Sequence, residues 1–171
     1  ESRARGGRNV GYWYWELESV PRAWDEAFAD VDEIWCATAF IADAMRGATS
    51  KPVIKIPPPI ELALERRYVR SEFGLPGDAF LFLFTFDFNS FLKRKNPAAA
   101  IRAFRSAFHR GRSDVGLVVK SINGANRPEL VAEIRAEIGD DTRVIHLDGF
   151  FSRDQTFGLT SVVDAYVSLH R

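Results

Sequence analysis

Short, densely apolar runs alternate along the chain with longer segments whose apolar residues recur every three or four positions. AFLFLFTF (79–86), VGLVVK (115–120) and RVIHL (143–147) are apolar almost throughout, which predicts strands buried on both faces. NVGYWYW (9–15), EIWCA (33–37), VIKI (53–56) and AYVSL (165–169) read as further strands. Between them lie helical patterns. PRAWDEAFADV opens on Pro21, suited to a first helical position, and places Trp24, Phe28 and Val31 on one face. Thr38 is a candidate cap for AFIADAMR, which Gly47 ends. NPAAAIRAFRSAFHRG carries Ile101, Phe104 and Phe108 on one stripe and reaches Gly111. A helix from Pro128 to Ile138 stops at Gly139, and Ser152 caps another running to Val163. YVRSEF (68–73) predicts a helical turn stopped by Gly74. Strand and helix alternating in this way predict an α/β fold of parallel sheets with helices on both faces.

One interruption divides the pattern. Pro57, Pro58 and Pro59 cannot continue a strand ladder and favour a stiff, extended connector. The expected organisation is one Rossmann-like part over residues 1–56, a linker over 57–61 and a second Rossmann-like part over 62–171. Both ends of the chain read as cut from something longer.

Composition narrows the function. A formal net charge of zero gives no global field toward nucleic acid or an acidic membrane, so anion binding must come from local clusters. No apolar run reaches the ~18 residues of a membrane span. The single cysteine, Cys36, rules out an internal disulfide and fits a reducing, cytoplasmic setting. Three histidines and one cysteine, none in ligand spacing, predict no metal site. His146, inside an apolar strand, reads as a core histidine.

In open parallel sheets ligands collect at the carboxyl ends of strands. After Phe86 comes DFNSFLKRK, a loop by its pattern, and then a helix with Asn96 as cap and Pro97 first. Lys120, His170 and Arg171 follow other strands. Lys93, Arg94, Lys95, Lys120, His170 and Arg171 would therefore share one edge, beside a helix N-terminus whose free N–H groups suit a phosphate. Neither a Walker loop nor a dinucleotide fingerprint is present.

The order FD-x-x-S-x-x-x-RKNP, AIRAF, LVVKS, AYVSLHR, preceded by GYWYWEL and VIKIPPPI, resembles glycosyltransferase family 4, the group 1 glycosyltransferases of GT-B fold. The resemblance covers nearly the whole chain from Asn9 and implies a bacterial, cytoplasmic hexosyltransferase. Such an enzyme moves a sugar from a nucleotide-diphosphate donor to an acceptor hydroxyl, with no cofactor, the nucleotide-sugar being a substrate. It implies that Arg94, Lys95, Asn96, Lys93, Ser90 and Lys120 hold the donor diphosphate. Asp148, Gly149, Phe150, His170 and Arg171 would approach the base or sugar, and Trp15 and Glu16 would lie on the acceptor side. No catalytic residue is assigned, and sugar, base and acceptor stay open. Relatives continue into a segment with two glutamates that contact the donor. This chain is therefore expected to be an inactive part of a larger enzyme, with exposed sheet edges that invite self-association. Two alternatives remain: a non-catalytic nucleotide- or phosphate-binding Rossmann-like domain, or an unrelated phosphate-binding protein with one sheet running through both halves.

Overall fold

The computed structural model describes residues 7–61 and 63–170. The chain divides into two compact units, Glu1–Glu61 and Leu62–Arg171. Their strands form two separate sheets among the described residues, one of three strands and one of four. A single sheet through both halves is excluded.

The first unit runs β1 (Val10–Trp13), α1 (Asp25–Ala29), β2 (Glu33–Cys36), α2 (Ala39–Arg46) and β3 (Val53–Lys55). Its strands are parallel in the order β1-β2-β3. The helices bury Phe28, Ile41 and Met45 against Ile34 and Cys36. Thr38 caps α2 as expected, its hydroxyl accepting from the Ile41 amide at 3.3 Å. Burial pushes the Cys36 thiol up, away from the thiolate form a nucleophile needs.

Two expectations need correction here. The ladder stops at Trp13, opposite Cys36, where β2 ends, so Tyr14 and Trp15 have no strand to pair with. The helix expected from Pro21 to Val31 is broken into a 3₁₀ turn over Arg22–Trp24 followed by the five-residue α1. A 3₁₀ turn advances three residues per turn and not 3.6, which rotates Trp24 off the core stripe. Phe28 and Val31 remain buried, while Trp24 is 36% exposed.

The second unit runs β4 (Phe80–Asp87), α3 (Leu92–Lys95), α4 (Pro97–Ala107), β5 (Val115–Ile122), α5 (Pro128–Ile138), β6 (Val144–Asp148), α6 (Arg153–Val162) and β7 (Ala165–Tyr166). All four strands are parallel, in the order β6-β5-β4-β7. Side chains alternate across the sheet as a period of two requires. Phe84, Phe86, Leu117 and Val119 cluster with Ile101, Phe104 and Ile134 of α4 and α5. Leu81, Leu83 and Val118 cluster with Leu159 of α6. Helices thus cover both faces, and each fully buried side chain such as Phe84 contributes about 1.5–3 kcal/mol.

β5 is buried along almost its whole length, as predicted. β4 is less so, with Phe80 46% exposed, because β7 pairs with it over only Phe82↔Ala165 and Leu83↔Tyr166. α4 ends at Ala107, short of Gly111, since Phe108 turns extended at φ −125°, ψ 106°. KRK is not in a loop: Lys93, Arg94 and Lys95 fill the last turn of α3.

Gly158, inside α6, lets the helix approach the preceding segment. A Cβ there would lie 2.4 Å from the buried ring of Tyr68, whose hydroxyl donates to Asp154. Helix propensity favours alanine over glycine by about 1 kcal/mol, whereas overpacking a fixed ring costs about 1–3 kcal/mol. The clash wins. Gly158→Ala is expected to lower the urea midpoint of unfolding, and a raised midpoint would show that Tyr68 yields.

Candidate functional site

The order β6-β5-β4-β7 contains a reversal. From β4 the chain winds outward to β5 and β6, then returns to place β7 on the other side of β4. The crevice outside the carboxyl ends of β4 and β7 is therefore a topological switch point, where open α/β sheets bind ligands.

The segment leaving β4 is held by its own polar groups. Asp87 accepts from the Asn89 amide and from the Asn123 side chain, both at 2.8 Å, and the Phe88 amide donates to Ile122 O at 3.1 Å. The ends of β4 and β5 are thus tied together. The Ser90 amide donates to Asp87 O at 3.0 Å, and α3 follows at once. Asn96 then adopts a left-handed conformation, φ 58°, ψ 42°, reversing the chain so that α4 begins at Pro97. Asparagine is among the few non-glycine residues that adopt this conformation readily.

Asn96 precedes α4, but its side chain does not cap it. Its Nδ2 donates to Leu169 O at 3.4 Å, bridging the switch point from the end of β4 to the end of β7. The amides of Ala98 and Ala99 consequently have no acceptor among the described residues. These are the groups that carry the positive end of the helix dipole.

Immediately before them stand three cations without partners. Lys93 is exposed, Arg94 and Lys95 are half-buried, and none of the three side chains makes a hydrogen bond or ion pair among the described residues. Arg67 and Arg135 likewise pair with no carboxylate among the described residues, but most arginines of the unit differ. Arg102, Arg105, Arg110, Arg112, Arg127 and Arg143 all face a carboxylate. Side-chain charges on one turn repel by on the order of 1 kcal/mol per pair in water. Their position in the last turn of α3 offsets some of this, but a four-residue helix has few aligned peptide dipoles. No carboxylate pairs with any of the three among the described residues.

The other nominated residues divide. His170 lies against Phe84 at the end of β7, ring centroids 5.7 Å apart. Arg171 lies outside the described residues. Asp148 is exposed at the end of β6 and accepts from the Ser121 hydroxyl at 2.7 Å. Ser121 is in turn paired with His146 Nε2 at 2.9 Å. His146 is thus satisfied, and burial pushes its pKa down. Gly149, at φ 134°, turns the chain, and Phe150 projects 87% exposed.

Lys120 is occupied elsewhere. It is buried, its ammonium donates to the carbonyls of Ser121 and Gly149, and it lies 4.2 Å from the Phe151 ring centroid. Desolvation pushes its pKa down. It locks the turn after β6. Sequence reasoning placed it at the edge from its position in the strand, but could not see that a long side chain folds back onto local carbonyls. Phe91, 69% exposed just before α3, was missed, since only its exposure distinguishes it from the core phenylalanines around it.

In the first unit Glu16 is exposed and Trp15 is half-buried, its indole donating to Ser19 O at 2.9 Å. Trp15 packs edge-on against Trp24 at 4.8 Å.

No protein-family model matches the chain, and no curated protein does. Solved structures do. The apo structure of OtsA aligns with a TM-score of 0.61 at 13% identity, over 84% of this chain and 40% of that one. The N-terminal domain of Candida albicans trehalose-6-phosphate phosphatase gives 0.52 at 17% identity, over 85% and 41%. At such identities the likeness concerns the fold alone, which is Rossmann-like and of the GT-B type. The chain spans about two fifths of the length of either solved chain.

Proposed function

We propose that the chain is the part of a glycosyltransferase, of family 4 type, whose second unit grips the diphosphate of a nucleotide-sugar donor. One observation supports this: three cations whose side chains have no partner among the described residues immediately precede an uncapped helix N-terminus, on the segment that leaves β4 at the switch point. Arg94 and Lys95, half-buried and next to Asn96, are the principal ligands, with Lys93 at the rim and the Ala98 and Ala99 amides beneath. Phe150, Asp148 and His170 are available to the base and sugar.

Such a site would act on the leaving group. As the sugar's anomeric carbon separates from the diphosphate oxygen, negative charge grows on the departing phosphate. Fixed cations and aligned amides stabilise that charge more in the transition state than in the bound donor, and only this difference accelerates the step. The acceptor oxygen forms the new bond to the anomeric carbon as the diphosphate leaves, and its hydroxyl proton passes to the departing phosphate oxygen.

Calorimetric titration with uridine, guanosine and adenosine mono- and diphosphates tests the proposal. At least one diphosphate is expected to bind with a dissociation constant on the order of 1 mM or tighter, and more tightly than its monophosphate. Equal binding of both, or none, would contradict it.

A further inference from the structure

At the carboxyl end of β1 the first unit carries a cleft of about 470 Å³, lined by Tyr12, Trp13, Tyr14, Ala23, Trp24 and Ala27. Its volume lies within the range of small-ligand sites. Trp13 packs against the core, but the other three aromatic side chains stand open: Tyr12 is 39%, Tyr14 60% and Trp24 36% exposed. Tyr12 and Tyr14 stand edge to face at 5.4 Å, and Trp13 and Trp24 do so at 6.4 Å, which fixes the walls.

The four tryptophans separate into two kinds. Trp15 donates its indole N–H to Ser19 O, and Trp35 donates to Glu33. Trp13 and Trp24, which line the cleft, find no acceptor for theirs among the described residues. Indole can only donate, so a ligand that offers acceptor oxygens is one that can satisfy these groups. The surrounding chain is acidic: Glu16, Glu18, Asp25 and Glu26 are exposed, with Arg22 the one cation from Tyr12 to Ala29.

We infer that this aromatic cleft binds an uncharged sugar. The C–H face of a sugar ring packs on an aromatic wall, and its oxygens accept from the Trp13 and Trp24 indoles. A phosphorylated sugar would bring a dianion to a segment whose exposed charges are mostly acidic. A quaternary ammonium suits aromatic walls and acidic surroundings, but offers the two indoles no acceptor. That the bound sugar serves as acceptor rests on the transfer reaction proposed above; the binding itself does not.

The test is a ¹H–¹⁵N spectrum of the four indole N–H groups during titration with a panel of neutral hexoses and their disaccharides, maltose and cellobiose included. Glucose 6-phosphate and choline chloride are the comparison arms. The Trp13 and Trp24 signals are expected to shift with at least one neutral sugar while Trp15 and Trp35 stay in place. Trp24→Ala should weaken that binding at least tenfold with an unchanged circular dichroism spectrum. Tyr14→Ala, at a more exposed position, provides a second variant should Trp24→Ala fail to fold. Lys95→Ala should leave the sugar titration untouched, so loss of nucleotide binding and loss of sugar binding are read separately. Silence of both indoles across the neutral panel, or tighter binding of choline or glucose 6-phosphate, would overturn the inference.

Discussion

Asp141→Ala is expected to destabilise the second unit by about 3 kcal/mol, toward the lower end for breaking a buried ion pair and a large share of a typical domain's 5–15 kcal/mol. Asp141 and Arg143 are both nearly inaccessible, with side chains 3% and 9% exposed. Arg143 donates Nε and Nη2 to the two carboxylate oxygens at 2.8 and 2.7 Å. Its Nη1 also donates to the carbonyls of Phe108 and His109, at 3.1 and 2.7 Å, fastening the exit of α4. Alanine would leave this guanidinium buried without its charge partner. The Arg143 hydrogen bonds hold the Asp141 carboxyl below its ordinary value of 3.8. A depressed carboxyl contributes stability that is fully present above its unfolded pKa and is lost as pH falls through the folded one. The gap between wild type and variant should therefore be constant near neutrality and narrow below about pH 4. Urea titrations at several pH values measure this; a gap that widens in acid would contradict the pairing.

Removing both Arg94 and Lys95 is expected to weaken nucleoside diphosphate binding by about a hundredfold, with no loss of stability. Each supplies a charge-assisted hydrogen bond, worth about 1.5–3 kcal/mol, or roughly tenfold or more in affinity. In an active parent enzyme the same loss would fall on turnover, about a hundredfold or more per donor. Stability should hold because neither side chain has a partner among the described residues to lose, and relief of repulsion with Lys93 acts the other way. Arg94→Ala and Lys95→Ala measured singly and together give the coupling between them. Affinity unchanged in the double variant would remove both from the site.

The strands of the second unit were readable because apolar runs in β4 and β5 leave few alternatives to a buried parallel sheet. Pro97 and Pro128 marked helix starts for the same local reason. What escaped was set by geometry beyond the local pattern. The α3 turn and the left-handed Asn96 interrupt a run that reads as a loop, and the switch point arises from the order β6-β5-β4-β7, which no single segment encodes. KRK could be placed near a helix start, but not seen to lack counter-ions. The cleft of Tyr12, Tyr14 and Trp24 was hidden because a 3₁₀ turn rotated Trp24 out of the core, and aromatic residues in and after a strand ordinarily signal burial.

The account depends on the KRK corner and the start of α4 acting together as a diphosphate site. The amide signals of Ala98 and Ala99, followed while uridine, guanosine or adenosine diphosphate is added, test this most directly. Both are expected to move to lower field and saturate together, with no movement on adding the matching nucleoside. Should they stay fixed while the diphosphate binds elsewhere on the chain, the site and the transfer chemistry built on it would be wrong.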